Sequence, residues 1–389
     1  MINKSDVLKN NLKLTYGMVG GGIGSFIGEV HRTAIRMLGN IDLVGGSFSR
    51  NYDNSLKTGE SLGLQKERIY KDYIEMAEKE GKREDKIDFV SIVTPNNLHY
   101  PVAKKFLENG INVICEKPLV FEPSEAEELT RIAKANGLIL AVTYTYSGYP
   151  MVKEAREMVR NGSIGNIRFI HGEYTQDWLA SRVEEVNKQA SWRVDPNYAG
   201  KSNVVGDIGS HIENVVSYIS GLEITSLCAN LDTFVDGRKL DDNAVILLNF
   251  NNGAKGIYWC SQIAIGHDND LKIRIYGDKG SLEWRQEEPN QLRFTKLGES
   301  TQIISRGRTE LHPNVKPFSK LPSGHPEGYF EAMSNIYSSI NNAIVAKKQG
   351  IDFSQSEFDF PKGEDGLKGV TFINKCVESS LNSGAWVNL

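Results

Sequence analysis

Apolar residues follow two alternating rhythms along the first third of the chain. Short runs with little polar interruption, at Leu14–Val19, Ile41–Phe48, Asp88–Val93, Ile111–Glu116 and Leu138–Thr143, read as buried strands. Between the first two, Phe26, Ile27, Val30, Ala34 and Met37/Leu38 recur at helical spacing. Helical stretches around Asn54–Leu62, Asp72–Gly81 and Tyr100–Asn109 fill the next gaps, and a helix with Glu125, Glu127 and Glu128 near its start follows. Strands alternating with helices predict βαβ units and a parallel, doubly wound α/β sheet over residues 1–148. Near Tyr144–Pro150 the rhythm changes. After one helix, Met151–Asn161, strand-like runs follow at Ile167–Tyr174, Ile224–Leu231, Asn243–Phe250, Lys255–Ile263, Leu271–Tyr276 and Ser281–Trp284. Leu271–Tyr276 alternates strictly, and Asn252-Gly253 and Asp278-Lys279-Gly280 read as hairpin turns. Residues 149–389 are therefore expected to form an α+β domain on an open, largely antiparallel sheet. Two late helices, about Glu327–Lys347 and Gly363–Ser383, should cover that sheet or dock on the first domain.

Composition narrows the function. The chain has 389 residues, room for two domains, and 45 basic against 49 acidic side chains, a net charge of −4. Without a dense basic run, nucleic acid is an unsuitable partner. The four cysteines stand singly, with neither metal-ligand nor redox spacing, so they read as buried thiols in a reducing compartment, and no metal site is expected. The opening MINKSDVLKNNL lacks the apolar core of a signal peptide, and no run reaches membrane-span length. A soluble, cytoplasmic protein is the expectation.

The chemistry gathers in loops that follow strands. The first strand runs into Gly20-Gly21-Gly22-Ile23-Gly24-Ser25 and then a helix. Glycines there permit a sharp turn and let a pyrophosphate approach the helix N-terminus, whose N–H groups favour an anion. Gly20 and Gly22 fit G-x-G-x-x-G, Ile23 and Gly24 complete the turn, and Ser25 takes the third place as a small residue able to pack helix on strand. The second strand ends at Ser49 and Arg50, with no acid to bind a ribose 2′-hydroxyl; Arg50 tilts the cofactor from NAD towards NADP. Thr94, Pro95, Asn96 and His99 form a loop after the third strand, and Glu116-Lys117-Pro118 closes the fourth. Three such loops on one sheet edge mark a ligand site in a parallel sheet, and a lysine there is placed to exchange a proton with substrate. Later in the chain, Asp207 and His211 stand four apart at a helix start, a carboxylate beside a proton carrier. The stretch with Tyr174, Gln176, Asp177, Trp178, Trp192, Arg193 and Asp195 offers aromatic faces and polar rims suited to a polyhydroxylated ring, although both tryptophans also suit a plain core.

Taken together, these motifs resemble the glucose–fructose oxidoreductase / inositol dehydrogenase family (Gfo/Idh/MocA) over nearly the whole chain. The resemblance rests on Gly20–Gly24, Thr94-Pro95-Asn96-x-x-His99, Glu116-Lys117-Pro118 and Asp207-Ile-Gly-Ser-His211. It implies a Rossmann domain holding NAD(P), with Lys117, Asp207 and His211 facing nicotinamide and substrate. The cofactor would also meet Gly20, Gly22, Ile23, Gly24, Ser49, Arg50, Thr94, Pro95, Asn96, His99 and Glu116. Trp178, Trp192 and Arg193 would border the substrate, as in members acting on anhydrosugars. Many members carry an Asn and an Arg where this chain has Thr143-Tyr144-Thr145-Tyr146. The implied activity is reversible NAD(P)-dependent oxidation of a secondary hydroxyl on a sugar, anhydrosugar or cyclitol, with Lys117 as acid/base, in a homodimer or homotetramer. The alternative is a glycoside hydrolase or lyase that recycles tightly bound NAD through a transient ketone.

Overall fold

A computed structural model describes residues 12–351 and 358–389; the leader reading of residues 1–11 lies outside it. The chain divides into two compact units, Met1–Thr143 with Met333–Leu367 and Tyr144–Ala332 with Lys368–Leu389.

In the first unit, β1 (Leu14–Gly20), β2 (Ile41–Ser47), β3 (Phe89–Val93), β4 (Asn112–Cys115) and β5 (Leu140–Val142) lie in the order β2-β1-β3-β4-β5, every pair parallel. The strand order reverses between β1 and β3, where open α/β sheets bind ligands beyond the strand ends. Register brings Gly20 beside Val93, and Ile92 beside Cys115. The loops after β1, β3 and β4 therefore leave the sheet at a common edge, as the pattern of runs predicts. The strands β3 and β4 are buried along their whole length, which is why they appear as unbroken apolar runs. Most of the long helix Tyr329–Lys348 belongs to this unit, and its Tyr337 packs against His31 and Phe89 at ring-centroid distances of 5.7 and 6.2 Å.

The second unit holds a nine-stranded sheet ordered β13-β12-β11-β10-β6-β9-β8-β7-β14. Its strands are β6 (Ile167–Thr175), β7 (Ile224–Asp232), β8 (Asn243–Phe250), β9 (Lys255–Ser261), β10 (Asp270–Gly277), β11 (Gly280–Arg285), β12 (Gln291–Lys296), β13 (Gln302–Ser305) and β14 (Val387–Asn388). Only the pair β6 and β9 is parallel. The last three strands exceed what the pattern predicts, because each is short and offers few alternations. Ile170, Ile246, Tyr258, Ile273 and Trp284 share the buried core with Val152 of the helix Pro150–Arg160 and Ile212 of the helix Ser210–Ser220. The alternate positions Phe169, Val245, Leu247 and Tyr276 are exposed.

Gly172, on β6, sets the distance from sheet to helix. A Cβ there would lie 2.3 Å from Ile212 Cγ2 and 3.0 Å from Tyr258 Cδ1, so the helix bearing His211 rests directly on the strand backbone. Gly172→Val is expected to destabilise the second unit by roughly 1–3 kcal/mol through overpacking. Urea unfolding followed by tryptophan fluorescence should show a lowered midpoint; an unchanged midpoint would refute this packing.

Candidate functional site

The first unit presents a cradle at the end of β1. Gly24 has φ +82° and open space around it, a conformation that side chains other than glycine rarely adopt. The helix Phe26–Arg36 begins immediately after, and Ser25 caps it by accepting the Gly28 N–H at 3.3 Å. The close packing assigned to Ser25 from the sequence falls instead to Gly28, where a Cβ would lie 2.4 Å from Gly21 Cα. Arg32 donates to the Gly21 carbonyl at 2.7 Å and braces the turn from below. Ile23 and Phe26 are exposed beside the turn, and Ile23 N–H is held by Thr58 Oγ1 at 3.2 Å. Backbone approach, helix N-terminus and open apolar flank fit a dinucleotide pyrophosphate. Beyond β2, Arg50 is exposed and Ser49 half-buried, with the Ser49 hydroxyl accepting Asn51 N–H at 3.2 Å.

After β3, Thr94, Pro95 and Asn96 are half-buried, but His99 is fully enclosed. Its Nδ1 and Nε2 lie 2.7 and 3.0 Å from the carbonyl oxygens of Pro118 and Thr94. Burial lowers its pKa against the pull of those two carbonyls. His99 thus joins the loops after β3 and β4, and both ring nitrogens are occupied in doing so. Glu116 likewise points inward. Its Oε1 accepts from Thr143 Oγ1 at 2.5 Å and lies 2.8 Å from His31 Nε2; its Oε2 accepts Lys117 N–H at 3.2 Å. Burial alone would raise the Glu116 carboxyl, but the bond and charge of His31, the bond from Thr143 and the charge of Lys117 together hold it below the ordinary carboxylate range. Lys117 is the one partly exposed residue in the buried run 111–120.

In the second unit, Asp207 stands out in the same way, half-buried within the otherwise buried run 202–210. It sits in a π-helical turn, Val205–Gly209, that precedes the helix Ser210–Ser220, so a regular helix does not span Asp207 to His211 as the spacing predicts. Arg193 Nε and Gln262 Nε2 both donate to Asp207 Oδ2, at 3.2 and 2.9 Å. The Arg193 guanidinium lies 4.3 Å from the Trp192 ring centre and 5.8 Å from that of Trp178. His211 is buried against Tyr146, edge to face at 4.7 Å, with Tyr144 and Tyr174 beyond. The Tyr146 and Tyr174 hydroxyls bond each other, Tyr174 reaches Asn269, and Gln176 links Asn269, Trp178 and Gln262. A carboxylate, an imidazole and a ring of amides and phenols on one unit suit a ligand with several hydroxyl groups. Gln262, directly after β9, and Asn269, directly before β10, occupy positions with no motif of their own.

These features define a dinucleotide-binding oxidoreductase. Residues 14–144 match the oxidoreductase family described as an NAD-binding Rossmann fold, and residues 152–283 match the GFO/IDH/MocA C-terminal domain. The chain belongs to the Gfo/Idh/MocA oxidoreductase family. It is similar to an inositol dehydrogenase homologue from Azotobacter vinelandii solved with NAD+, at 37% identity and TM-score 0.96 over 100% of both chains. The structure of that homologue with NADH and myo-inositol gives 36% identity and TM-score 0.92, covering 97% of this chain and 98% of the other. Levoglucosan dehydrogenase of Pseudarthrobacter phenanthrenivorans is 30% identical over 78% of this chain and 80% of its own length. Among the described residues no helix is long and apolar enough to cross a membrane, and no His/Cys/Asp/Glu group is arranged to hold a metal.

The cradle yields a direct check. A Cβ on Gly22 would lie 2.9 Å from the Phe48 carbonyl oxygen. Gly22→Val is expected to weaken NAD binding by roughly tenfold or more, the equivalent of an overpacking cost of about 1–3 kcal/mol. Calorimetric titration with NAD and NADP reads this; dissociation constants unchanged for both would move the pyrophosphate site elsewhere.

Proposed function

We propose that the chain is an NAD(P)-dependent dehydrogenase that reversibly oxidises a secondary hydroxyl of a sugar, anhydrosugar or cyclitol to a ketone. The observation that carries this reading is likeness over 97% of the chain to a homologue bound to NADH and myo-inositol, joined to two partly exposed ionisable residues in otherwise buried runs, Lys117 and Asp207. The nicotinamide, when bound, accepts the hydride. Gly20, Gly22, Ile23 and Gly24 hold the pyrophosphate, Ser49 and Arg50 receive the adenosine end, and Thr94, Pro95 and Asn96 border the nicotinamide. Lys117 takes the hydroxyl proton as the carbinol carbon is oxidised and returns it in reduction. Asp207, steadied by Arg193 and Gln262, accepts a second hydroxyl. His211, four residues on in the same unit, is the competing base. Trp178 and Trp192 offer ring faces to the C–H side of the substrate. A homodimer or homotetramer joined through the exposed sheet face belongs to the same reading; a monomeric mass in sedimentation would count against it.

The test is turnover with free NAD or NADP on a panel including myo-inositol and levoglucosan, followed by nicotinamide absorbance near ~340 nm. Stoichiometric reduction supports the dehydrogenase, while bond cleavage without net reduction points to a redox-recycling hydrolase or lyase. Lys117→Ala is expected to lower kcat by roughly 10²–10⁴-fold, the scale of a lost acid–base group, with cofactor affinity little changed. Near-normal kcat in Lys117→Ala alongside an inactive His211→Ala would transfer the base to His211. Arg50→Ala should weaken NADP more than NAD in the same titrations; equal loss would show that Arg50 does not read a 2′-phosphate.

A further inference from the structure

Behind Asp207 the second unit holds a set of buried amides whose hydrogen bonds all run one way. Gln262 has no exposed surface, and Asn203, just before the π turn, is buried as well. Asn203 Nδ2 lies 3.1 Å from the main-chain oxygen of Asp241 and 2.8 Å from Gln262 Oε1. Gln262 Nε2 in turn lies 2.9 Å from Asp207 Oδ2 and 3.3 Å from Gln176 Oε1. An amide has one donating and one accepting end, and neighbours without that choice settle which way it faces. The Asp241 main-chain oxygen can only accept, so Asn203 turns its NH2 towards it and offers the same NH2 to Gln262. Gln262 must meet that group with its oxygen, which sends its own NH2 to Asp207. The far end agrees. The Trp178 indole N–H can only donate, at 2.9 Å to Gln176 Oε1, so Gln176 also presents an oxygen to Gln262. Asp241 anchors the path further, since its carboxylate accepts from Ser202 Oγ and from the N–H groups of Asn203 and Val204 at 2.8, 3.1 and 2.9 Å. Buried amides cost desolvation that apolar side chains of similar length avoid. What these amides add is a direction.

We propose that Asn203 and Gln262 form a one-way positioning relay for Asp207: the Asp241 main chain orients Asn203, Asn203 orients Gln262, and Gln262 holds Asp207 ready to accept a substrate hydroxyl. This rests on the reading of Asp207 as the group that binds that hydroxyl. Asn203 also accepts the Asp207 main-chain N–H at 2.7 Å with its own main-chain oxygen, a bond that a side-chain substitution leaves in place. Its side chain therefore acts on the Asp207 carboxylate through Gln262. Without the Asn203 amide, the Gln262 side chain can turn and bring its oxygen against Asp207, acceptor against acceptor. Substrate binding then weakens more than the hydride step, which does not run through Asp207. The relay also implies coupling. Once Gln262 cannot donate, losing the Asn203 amide adds little, because the path is already cut.

The experiment has two readouts on the full chain. In 15N-labelled protein without substrate, the Gln262 side-chain NH2 is identified by NMR from its loss in Gln262→Met, and its exchange with solvent is followed. Asn203→Leu should shift that signal and speed its exchange at least tenfold. In steady-state kinetics with NAD and whichever of myo-inositol and levoglucosan is turned over, Asn203→Leu and Gln262→Met should each raise KM roughly tenfold, the scale of a lost hydrogen bond to a carboxylate, and lower kcat less. The double variant should match Gln262→Met within about twofold. If Asn203→Leu fails to fold, Gln262→Glu keeps the oxygen that meets Asn203 and removes only the donor to Asp207; it should raise KM at least as much as Gln262→Met. A wild-type KM in Asn203→Leu or in Gln262→Glu, while Asp207→Ala raises it, would overturn the relay. So would effects that multiply fully in the double variant. Failure of the underlying reading looks different: KM would then stay at the wild-type value in Asp207→Ala itself.

Discussion

The approach of one helix to the end of β1 governs much of the first unit. Gly28 lies so close to Gly21 that the space holds no Cβ, and this contact sets how far the helix Phe26–Arg36 lies from the strand. From that distance the next positions follow. Arg32 reaches the Gly21 carbonyl and stiffens the glycine turn, while His31 reaches across to Glu116 at the end of β4. A side chain at Gly28 would displace both. The braced glycine turn and the His31–Glu116 contact are thus two consequences of a single packing distance.

The second unit solves a different problem, holding polar groups in place on a rigid sheet. Asp207 lies in a π turn, where the helical ladder loosens, and two donors on one of its oxygens fix it. One donor, Arg193, comes from a short helical segment and stacks on Trp192; the other, Gln262, follows β9 directly. Around His211 stand the phenols of Tyr144, Tyr146 and Tyr174. They contribute ring edges and hydroxyls to this unit.

Much of this was legible in the sequence, for reasons that also explain what was not. Buried parallel strands leave unbroken apolar runs, so β1 to β4 and their loops could be placed almost to the residue. Lys117, Asp207 and His211 lie in motifs with local spacing. Ser25 was given the close-packing role because the G-x-G-x-x-G spacing points to it; only the three-dimensional crossing shows that Gly28 does that work. His31 and Arg32 were passed over although both interrupt the buried face of an amphipathic helix, and a polar residue on such a face is itself a signal. Tyr337, Gln262 and Asn269 join their partners from 55 to 306 residues away, as in His31 with Tyr337 and Asp207 with Gln262, and no local pattern records such pairings. The short strands β12 to β14 carry too few alternations to separate from loop.

The central claim is hydride transfer from a carbinol carbon to nicotinamide, and isotopic tracing tests it most directly. The protein would be incubated with NAD and with myo-inositol or levoglucosan carrying deuterium on the ring carbons. The account predicts reduced cofactor bearing one substrate-derived deuterium per ketone formed, with turnover slowed relative to the protiated substrate. Deuterium lost to water, or a bond cleaved with no label on the released cofactor, would contradict it.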